Sequence, residues 1–359
     1  MPILPVSLLH HSVSSSFGLK ARLPFILEQL SRRTEIFRDE LSKTRGRSNL
    51  ILPLNSPLQT KLNALEEAGS HDPLRIASTY EAISTEILIF IGLHKDLVTK
   101  LRQAGSNNAE EPVEERQLRI SLCRIHMLAT SMRLLAASAD TAGAENSISS
   151  KNGLRVSRSL NLASLIKSSS DEVRAFCVEK FGAAPGVDIS SIGLSSSMSV
   201  VGVKELLSFA YVELLKNAMT AMISRYTAAG VDDAPEIKVQ IACDDPHYLY
   251  ITLTDSAGGL KNHEQQQQLY SNRPFRLFSS VAAAARQEID YKYSREFGVP
   301  FSGSGLGLLR SDLFCKIHGG YISLYPSLSS SNQLAGTSAR IVIARGGSTT
   351  DLEALESII

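Results

Sequence analysis

The most informative stretch of the chain reads ELLKNA at positions 213–218, inside a segment predicted to be a helix from Val203 to Ile223. Glu213 and Asn217 are four residues apart, so both side chains leave the same face of that helix. The residues around them are apolar, so each polar group needs a partner, which can be the other group, water or a ligand. A carboxylate can accept a proton from a nucleophile, and an amide oxygen can bind Mg²⁺. A solvated helix face is the alternative interpretation.

A second segment, DSAGGL at positions 255–260, follows a predicted strand. An Asp at the point where a strand gives way to small residues can direct its carboxylate into a cleft. There it can accept a hydrogen bond from an exocyclic amino group such as that of adenine. The glycines let the backbone pass close to a ligand. Taken alone, the segment fits an ordinary turn equally well.

A third segment, GSGLGL at positions 303–308, opens a helix predicted from Leu308 to His318. Backbone N–H groups at such a helix N-terminus suit a phosphate. The G-x-G-x-G spacing without a βαβ unit differs from the dinucleotide fingerprint, and no Gly-Lys-Ser/Thr follows as it does in a P-loop. On its own this segment is weak evidence for a nucleotide.

The order of the three segments is more specific than any one of them. An E-x-x-x-N helix, a strand ending in Asp with glycines, a G-x-G-x-G helix start and then Gly336-Thr337 resemble the GHKL superfamily of ATP-binding domains. The stretches ELLKNAM at 213–219 and RLFS at 276–279 narrow the resemblance. They are similar to the mitochondrial kinases of the 2-oxo-acid dehydrogenase complexes, which are the pyruvate and branched-chain 2-oxoacid dehydrogenase kinases.

This resemblance implies a role for each matching residue. Asn217 would bind a Mg²⁺ ion that bridges the ATP phosphates, and Glu213 would be the general base toward a substrate serine. Asp255 would hold the adenine amino group, with Thr337 beside it. Lys216 would be a further charge on the phosphate side or, as an alternative, a surface lysine. The full set of predicted nucleotide-binding residues is Asn217, Asp255, Ala257, Gly259, Gly303, Ser304, Gly305, Leu306, Gly307, Leu308 and Thr337.

The chain departs from the family pattern at three points. Ala257 stands where the family has the first glycine of D-x-G-x-G, which predicts a lower nucleotide affinity. Phe209 stands four residues before Glu213, where pyruvate dehydrogenase kinases have a histidine that modulates the base. The chain contains no tryptophan, so the Asp-Trp pair of the family's C-terminal tail is not found in it. These departures leave open whether the chain is a working kinase or a nucleotide-binding regulator.

Three regions are predicted along the chain. Residues 1–18 are Ser-rich and free of acidic residues, which fits an organellar transit segment and equally an ordinary N-terminus. Residues 19–150 show helical spacing of apolar side chains and predict an all-α domain resembling a four-helix bundle, ending in a polar linker at 139–151. Residues 151–359 predict an α/β GHKL (Bergerat) ATP-binding domain with a mixed sheet packed on helices, and 260–301 match the family's ATP lid. In this domain we predict helices at 171–181, 203–223 and 308–318 and strands at 237–241, 248–254, 321–325 and 339–343.

The composition excludes several classes of protein. Lys and Arg total 37 against 36 Asp and Glu, which gives a formal net charge of +1 and argues against nucleic-acid binding. The longest apolar run, Ile87 to Leu93, is far shorter than the ~20 residues of a membrane-spanning helix, so no span is predicted. The four cysteines are scattered and form no C-x-x-C pair. This predicts buried thiols in a reducing compartment rather than a zinc site or a disulfide scaffold.

The favoured functional interpretation is an ATP- and Mg²⁺-dependent protein serine kinase of the mitochondrial matrix. The resemblance implies that it phosphorylates the E1 component of a 2-oxo-acid dehydrogenase complex, with pyruvate dehydrogenase favoured, contacts the E2 lipoyl domain and forms a homodimer. One alternative is a histidine-kinase-like protein, with His126 as the phosphoacceptor, or a weakly active nucleotide-binding regulator. Another is an ATP-driven clamp, which the late position of the ATP-binding region argues against.

Overall fold

The computed structural model describes residues 156–192, 200–226, 230–243, 245–260, 307–329 and 333–345, together with Arg116, Cys123, Thr130, Phe275 and Ser331. From Ser157 onward these residues belong to one compact unit. The predicted transit segment, helical domain, linker and ATP lid lie outside the described residues, isolated positions aside. The helical domain and the predicted domain boundaries therefore stay predictions.

Seven strands, three α-helices and one short 3-10 helix are described. In chain order they are β1 (Val156–Leu160), α1 (Leu162–Phe181), β2 (Val187–Ile192), β3 (Val200–Val203), α2 (Lys204–Tyr226), the 3-10 helix (Val231–Asp233), β4 (Ile237–Ala242), β5 (Tyr248–Thr254), α3 (Gly307–Ile317), β6 (Tyr321–Leu328) and β7 (Leu334–Ala344).

Five of the strands form a mixed sheet in the order β2-β4-β5-β7-β6. β2 runs parallel to β4, and every other neighbouring pair is antiparallel. Alternation turns aliphatic side chains to one face, where Val239 lies opposite Leu253 and Ile251 opposite Ile341. These residues are buried, and the helices pack on this layer. The predicted arrangement of a mixed sheet packed on helices is confirmed for this part of the chain.

Helix α2 is the central helix of the layer and contacts α1, α3 and the sheet. Its apolar residues surround the helix axis, and eleven of its residues are buried. By length and composition alone, α2 is also the one helix in the described part of the chain that could cross a membrane. Burial on several sides explains the same composition, because a helix that is apolar all round suits the core of a protein.

Helix α1 begins nine residues earlier than the predicted start at Asp171. The Asn161 side chain caps it by accepting a hydrogen bond from Ser164 N at 2.9 Å. Serines often compete with helical hydrogen bonding. Here Ser170 Oγ donates to Ile166 O at 2.8 Å and Ser169 Oγ contacts Ser208 Oγ at 3.0 Å, so the serine run is satisfied within the helix and against α2.

The sequence analysis missed β1, β2 and β3. β1 and β3 pair only with each other, and β3 has just four residues. β2 contains Asp188, Ser190 and Ser191, so its apolar alternation is weak. It forms a strand because its backbone pairs in register with β4. The other helices and strands predicted within residues 151–359 are confirmed, with β6 and β7 longer than predicted.

The predicted burial of the cysteines is also confirmed. Cys123, Cys177, Cys243 and Cys315 are all free and buried. Burial raises the pKa of the Cys177 thiol to about 12, so this thiol is neutral at physiological pH.

Candidate nucleotide-binding site

The polar face of α2 contains a buried ion pair. Glu213 is only 8% exposed, and its Oε1 lies 2.5 Å from Nζ of Lys216, which is 2% exposed. The partner of Glu213 is therefore Lys216, three residues along the helix, and the interpretation of Lys216 as a surface lysine is wrong. Asn217 is exposed on the same helix. Its amide is available to a ligand in solution, whereas the carboxylate of Glu213 is held inside.

Helix α3 begins directly against this pair. Its first residue, Gly307, is so close to Glu213 that an added Cβ would overlap Oε2. The E-x-x-x-N segment and the last glycine of the G-x-G-x-G segment therefore meet in space. Leu308 follows in the first turn of α3. Gly303, Ser304, Gly305 and Leu306 lie outside the described residues, and their role at a phosphate stays a prediction.

The Asp255 side chain is fixed where β5 ends. Its Oδ1 accepts hydrogen bonds from Ala257 N at 2.9 Å and Thr337 N at 3.2 Å, and its own N–H donates to Thr337 O at 3.0 Å. From the residues that the structure describes, Oδ2 accepts no hydrogen bond. Asp255 is 7% exposed, and burial raises the pKa of its carboxyl although the two N–H donors lower it. One oxygen is thus anchored to the backbone, while the other can accept from a ligand.

The turn after Asp255 is tied to β7 and to the end of α2. Gly258 has φ 87° and donates its N–H to Ala335 O at 2.8 Å, and Gly259 has φ 70°. Both conformations favour glycine. Tyr226 Oη donates to Ser256 O at 3.4 Å, and the Arg225 side chain lies where a side chain on Gly258 would be. These contacts hold the turn against the helix that carries Asn217.

Further residues shape this region, and of these the sequence had signalled only Gly336. Gly336 is needed because an added Cβ would overlap the backbone oxygen of Asp255. Ser338 Oγ bonds Thr254 Oγ1 at 2.9 Å and joins the two strands beside the carboxylate. The Gly336-Thr337 pair had signalled a contact near Asp255. No sequence signal marked Arg225 or Ser338, since their roles depend on tertiary packing.

Phe209 has a packing role one helical turn before Glu213. Its ring makes an edge contact with Phe314 at 5.1 Å between centroids, and the Arg310 guanidinium lies over it at 4.4 Å. Phe209 therefore joins α2 to α3. A histidine at this position could exchange a proton with its surroundings, whereas the phenyl ring of Phe209 cannot.

Helix α2 spans the two parts of the site. Glu213 lies against Gly307, while Arg225 lies near the Asp255 turn about 18 Å farther along the helix axis. The mixed sheet packed with helices is consistent with the predicted α/β GHKL-like fold.

Relatives of known function identify the class more closely. The chain is 25% identical over 325 residues to isozyme 1 of the mitochondrial pyruvate dehydrogenase (acetyl-transferring) kinase of Mus musculus, covering 87% of this chain and 69% of the relative. It is 21% identical over 318 residues to the corresponding kinase of Drosophila melanogaster, covering 85% and 72%. These relatives confirm the resemblance to pyruvate dehydrogenase kinases that was drawn from the sequence. The relatives are protein kinases, which confirms the predicted class of enzyme.

Comparisons with protein families and with solved structures give two further results. No protein-family model matches the chain. Among solved structures, the mycobacterial sensor histidine kinase MprB is similar with a TM-score of 0.34 and 18% identity, over 52% of this chain and 96% of that one.

Proposed function

We propose that this chain transfers the γ-phosphoryl group of Mg-ATP to a serine in the E1 component of a mitochondrial 2-oxo-acid dehydrogenase complex, with pyruvate dehydrogenase as the favoured substrate. The observation that carries the proposal is the meeting of Glu213 with Gly307, because it places a carboxylate at the start of the glycine-led helix. The names of the relatives support the kinase class and the choice of complex.

The described residues fit a bound nucleotide. Asp255 presents one oxygen that is already fixed by two backbone N–H groups and a second that can accept from adenine. Asn217 is exposed on α2 and offers an amide oxygen, so it would hold a Mg²⁺ ion together with the ATP phosphates. The metal, when bound, would neutralise charge on those phosphates.

The chain's own residues would then position and deprotonate the serine. Glu213 would accept the hydroxyl proton while the serine oxygen bonds to the γ-phosphorus and ADP leaves. Phosphoryl transfer depends mainly on positioning and on electrostatic stabilisation, so a rigid carboxylate beside the phosphate end of the site suits it.

Transfer of labelled γ-phosphate to purified pyruvate and branched-chain 2-oxoacid dehydrogenase complexes tests the proposal. We expect acid-stable label on an E1 serine that Glu213→Gln and Asn217→Ala both remove. Acid-labile label on the protein itself that His126→Ala removes would support a histidine kinase instead. Binding of Mg-ATP with no transfer at all would indicate a nucleotide-binding regulator.

We also propose the partners and location that belong to such a kinase, namely the E2 lipoyl domain, a second copy of this chain and the mitochondrial matrix. The mitochondrial relatives named above support the location. Light scattering after gel filtration tests the homodimer, and co-sedimentation with isolated lipoyl domains tests the contact with E2.

A further inference from the structure

Each oxygen of the Glu213 carboxylate contacts a different residue. Oε1 faces the Lys216 ammonium at 2.5 Å, and Oε2 rests against Gly307 at the start of α3. The two charged residues are three positions apart on one rigid helix, so the ion pair can form without a change of backbone conformation. The carboxylate is thus held from the helix that carries it and from the helix that faces it.

The glycine at position 307 is explained by this contact. Gly307 lies in the helical conformation, without the positive φ that marks Gly258 and Gly259, so its backbone geometry does not call for glycine. Glycine is needed there for steric reasons, because a methyl group would overlap Oε2 of Glu213. Gly307 is also the first residue of α3, where the helix dipole favours a negative charge.

Lys216 is well placed to fix the Glu213 carboxylate. A buried carboxylate without a cationic partner is costly, and the Lys216 ammonium offers both the opposite charge and a hydrogen-bond donor. The Cys177 thiol of α1 also lies near Lys216, but its burial keeps it neutral, so it does not compete as an anion for the ammonium. The short Lys216–Glu213 contact therefore supplies the charge that burial demands.

We propose that Lys216 is a positioning residue that holds the Glu213 carboxylate oriented for proton transfer, and that Gly307 is a glycine because it makes room for that carboxylate. The inference rests on the proposed kinase function and adds to it two residues that act through Glu213. It replaces the sequence-based interpretation of Lys216 as a charge on the phosphate side.

The first test compares Lys216→Met with Lys316→Met. Lys316 is a matched control because it is also buried and pairs within its own helix, with Asp312 Oδ2 at 3.0 Å from its Nζ. We expect Lys216→Met to lower kcat for transfer to the dehydrogenase complex about 100-fold with the KM for ATP little changed. Lys316→Met should keep kcat near that of the unmodified chain, even though both variants unfold at lower temperature. An unchanged kcat in a folded Lys216→Met variant would overturn the proposal.

The second test examines Gly307 through non-additivity. We expect Gly307→Ala to lower kcat, and to add little to the loss in a Glu213→Asp background, because the shorter side chain withdraws from the added methyl group. Gly186→Ala, at a glycine without positive φ whose added Cβ would meet the end of the exposed Glu236 side chain, is the control for a general effect of the substitution. Fully additive losses of kcat for Gly307→Ala and Glu213→Asp would contradict the spacing role of Gly307. If Lys216→Met fails to fold, this double-mutant cycle tests the proposal in its place.

A third measurement separates this inference from the kinase proposal. Retained transfer in Glu213→Gln would refute the general base, while loss in Glu213→Gln with normal kcat in Lys216→Met would refute only Lys216. If the dehydrogenase complex is not the substrate, a double-mutant cycle of Glu213→Gln and Lys216→Met, measured by urea unfolding, still tests the ion pair. We expect a clear favourable coupling between the two positions, and a coupling of zero would overturn the ion-pair role.

Discussion

The carboxyl group of Asp255 is buried, and burial disfavours its ionised form. Burial raises the pKa of its carboxyl, so the folded chain holds a proton there more readily than the unfolded chain does. Above that pKa the ionised form costs stability, and among the described residues the N–H groups of Ala257 and Thr337 offset part of this cost. A residue retained against stability is characteristic of a binding site.

We therefore predict opposite effects of Asp255→Asn on stability and on nucleotide binding. The amide oxygen can still accept from the two backbone groups while the buried charge is removed, so the unfolding temperature without ligand should hold or rise. The amide NH₂ would face the adenine amino group, so affinity for Mg-ATP should fall about 10-fold or more. Calorimetric titration and thermal unfolding of the same preparations measure both effects.

Asp312→Asn provides the contrast for this prediction. Asp312 is also buried, accepts from Ile322 N at 2.9 Å and pairs with Lys316. Its neutralisation should lower stability, because a buried lysine loses its counter-charge, and should leave ATP affinity unchanged. Normal ATP affinity in Asp255→Asn would rule out Asp255 as the adenine acceptor.

At the scale of elements, the C-terminal end of α3 is held by a buried histidine. Nε2 of His318 accepts a hydrogen bond from Val203 N at 3.0 Å, so Nδ1 must carry the proton, which it donates to Phe314 O at 2.7 Å. The ring thereby connects α3 to β3 in one neutral tautomer. Burial lowers the pKa of His318 to about 4.

This lowered pKa predicts a loss of stability in acid. Between the ordinary value near 6.5 and about 4 the unfolded chain binds a proton that the folded chain excludes, so the free energy of unfolding falls as the pH falls through this window. The loss attributable to His318 should approach about 3 kcal/mol. Urea unfolding between pH 4 and 7.5 measures it as the difference from His318→Gln, which cannot titrate.

The exposed His247 provides the comparison. His247→Gln should keep the acid sensitivity of the unmodified chain, whereas His318→Gln should be less stable at neutral pH and lose much of that sensitivity. Equal pH dependence in the two variants would show that His318 is not the group responsible.

The elements also show what a sequence can predict here. β4 and β5 alternate strongly between apolar and polar residues, and both were predicted closely. β2 and the first half of α1 were not, since one depends on parallel pairing with β4 and the other on hydroxyl contacts such as Ser170 with Tyr211. The alternation of apolar and polar residues predicts a helix or strand only where contacts with neighbouring elements do not determine its conformation.

The candidate site likewise combines features that were predicted from the sequence with features that were not. The strand-end position of Asp255 followed from the motif, whereas Glu213 is buried and Asn217 is exposed although both were predicted on one helix face. The Lys216–Glu213 pair and the Gly307 contact did not follow from the sequence, because burial of a lysine and the approach of α3 to α2 are tertiary effects. The sequence therefore predicted on which helix or strand end the candidate residues lie but not which of them contact each other.

At the scale of the whole chain, the described residues of the candidate nucleotide site lie within one compact unit. Every described contact of Glu213, Asp255 and Gly307 is made by a residue from 157 onward. The sheet, its three helices and the small β1–β3 sheet also lie in this part of the chain. A unit with its own buried core is able to fold independently.

We predict that a fragment of residues 151–359, which retains β1, unfolds cooperatively and binds Mg-ATP with an affinity close to that of the full chain. It should not phosphorylate the dehydrogenase complex, because the proposed contacts with that complex extend beyond the nucleotide site. Calorimetric titration of the fragment and the full chain, with Asp255→Asn in both as the control for specific binding, provides the comparison. A folded fragment that fails to bind ATP would mean that residues before 151 complete the nucleotide site, and efficient transfer by the fragment would mean that they are not needed for the substrate.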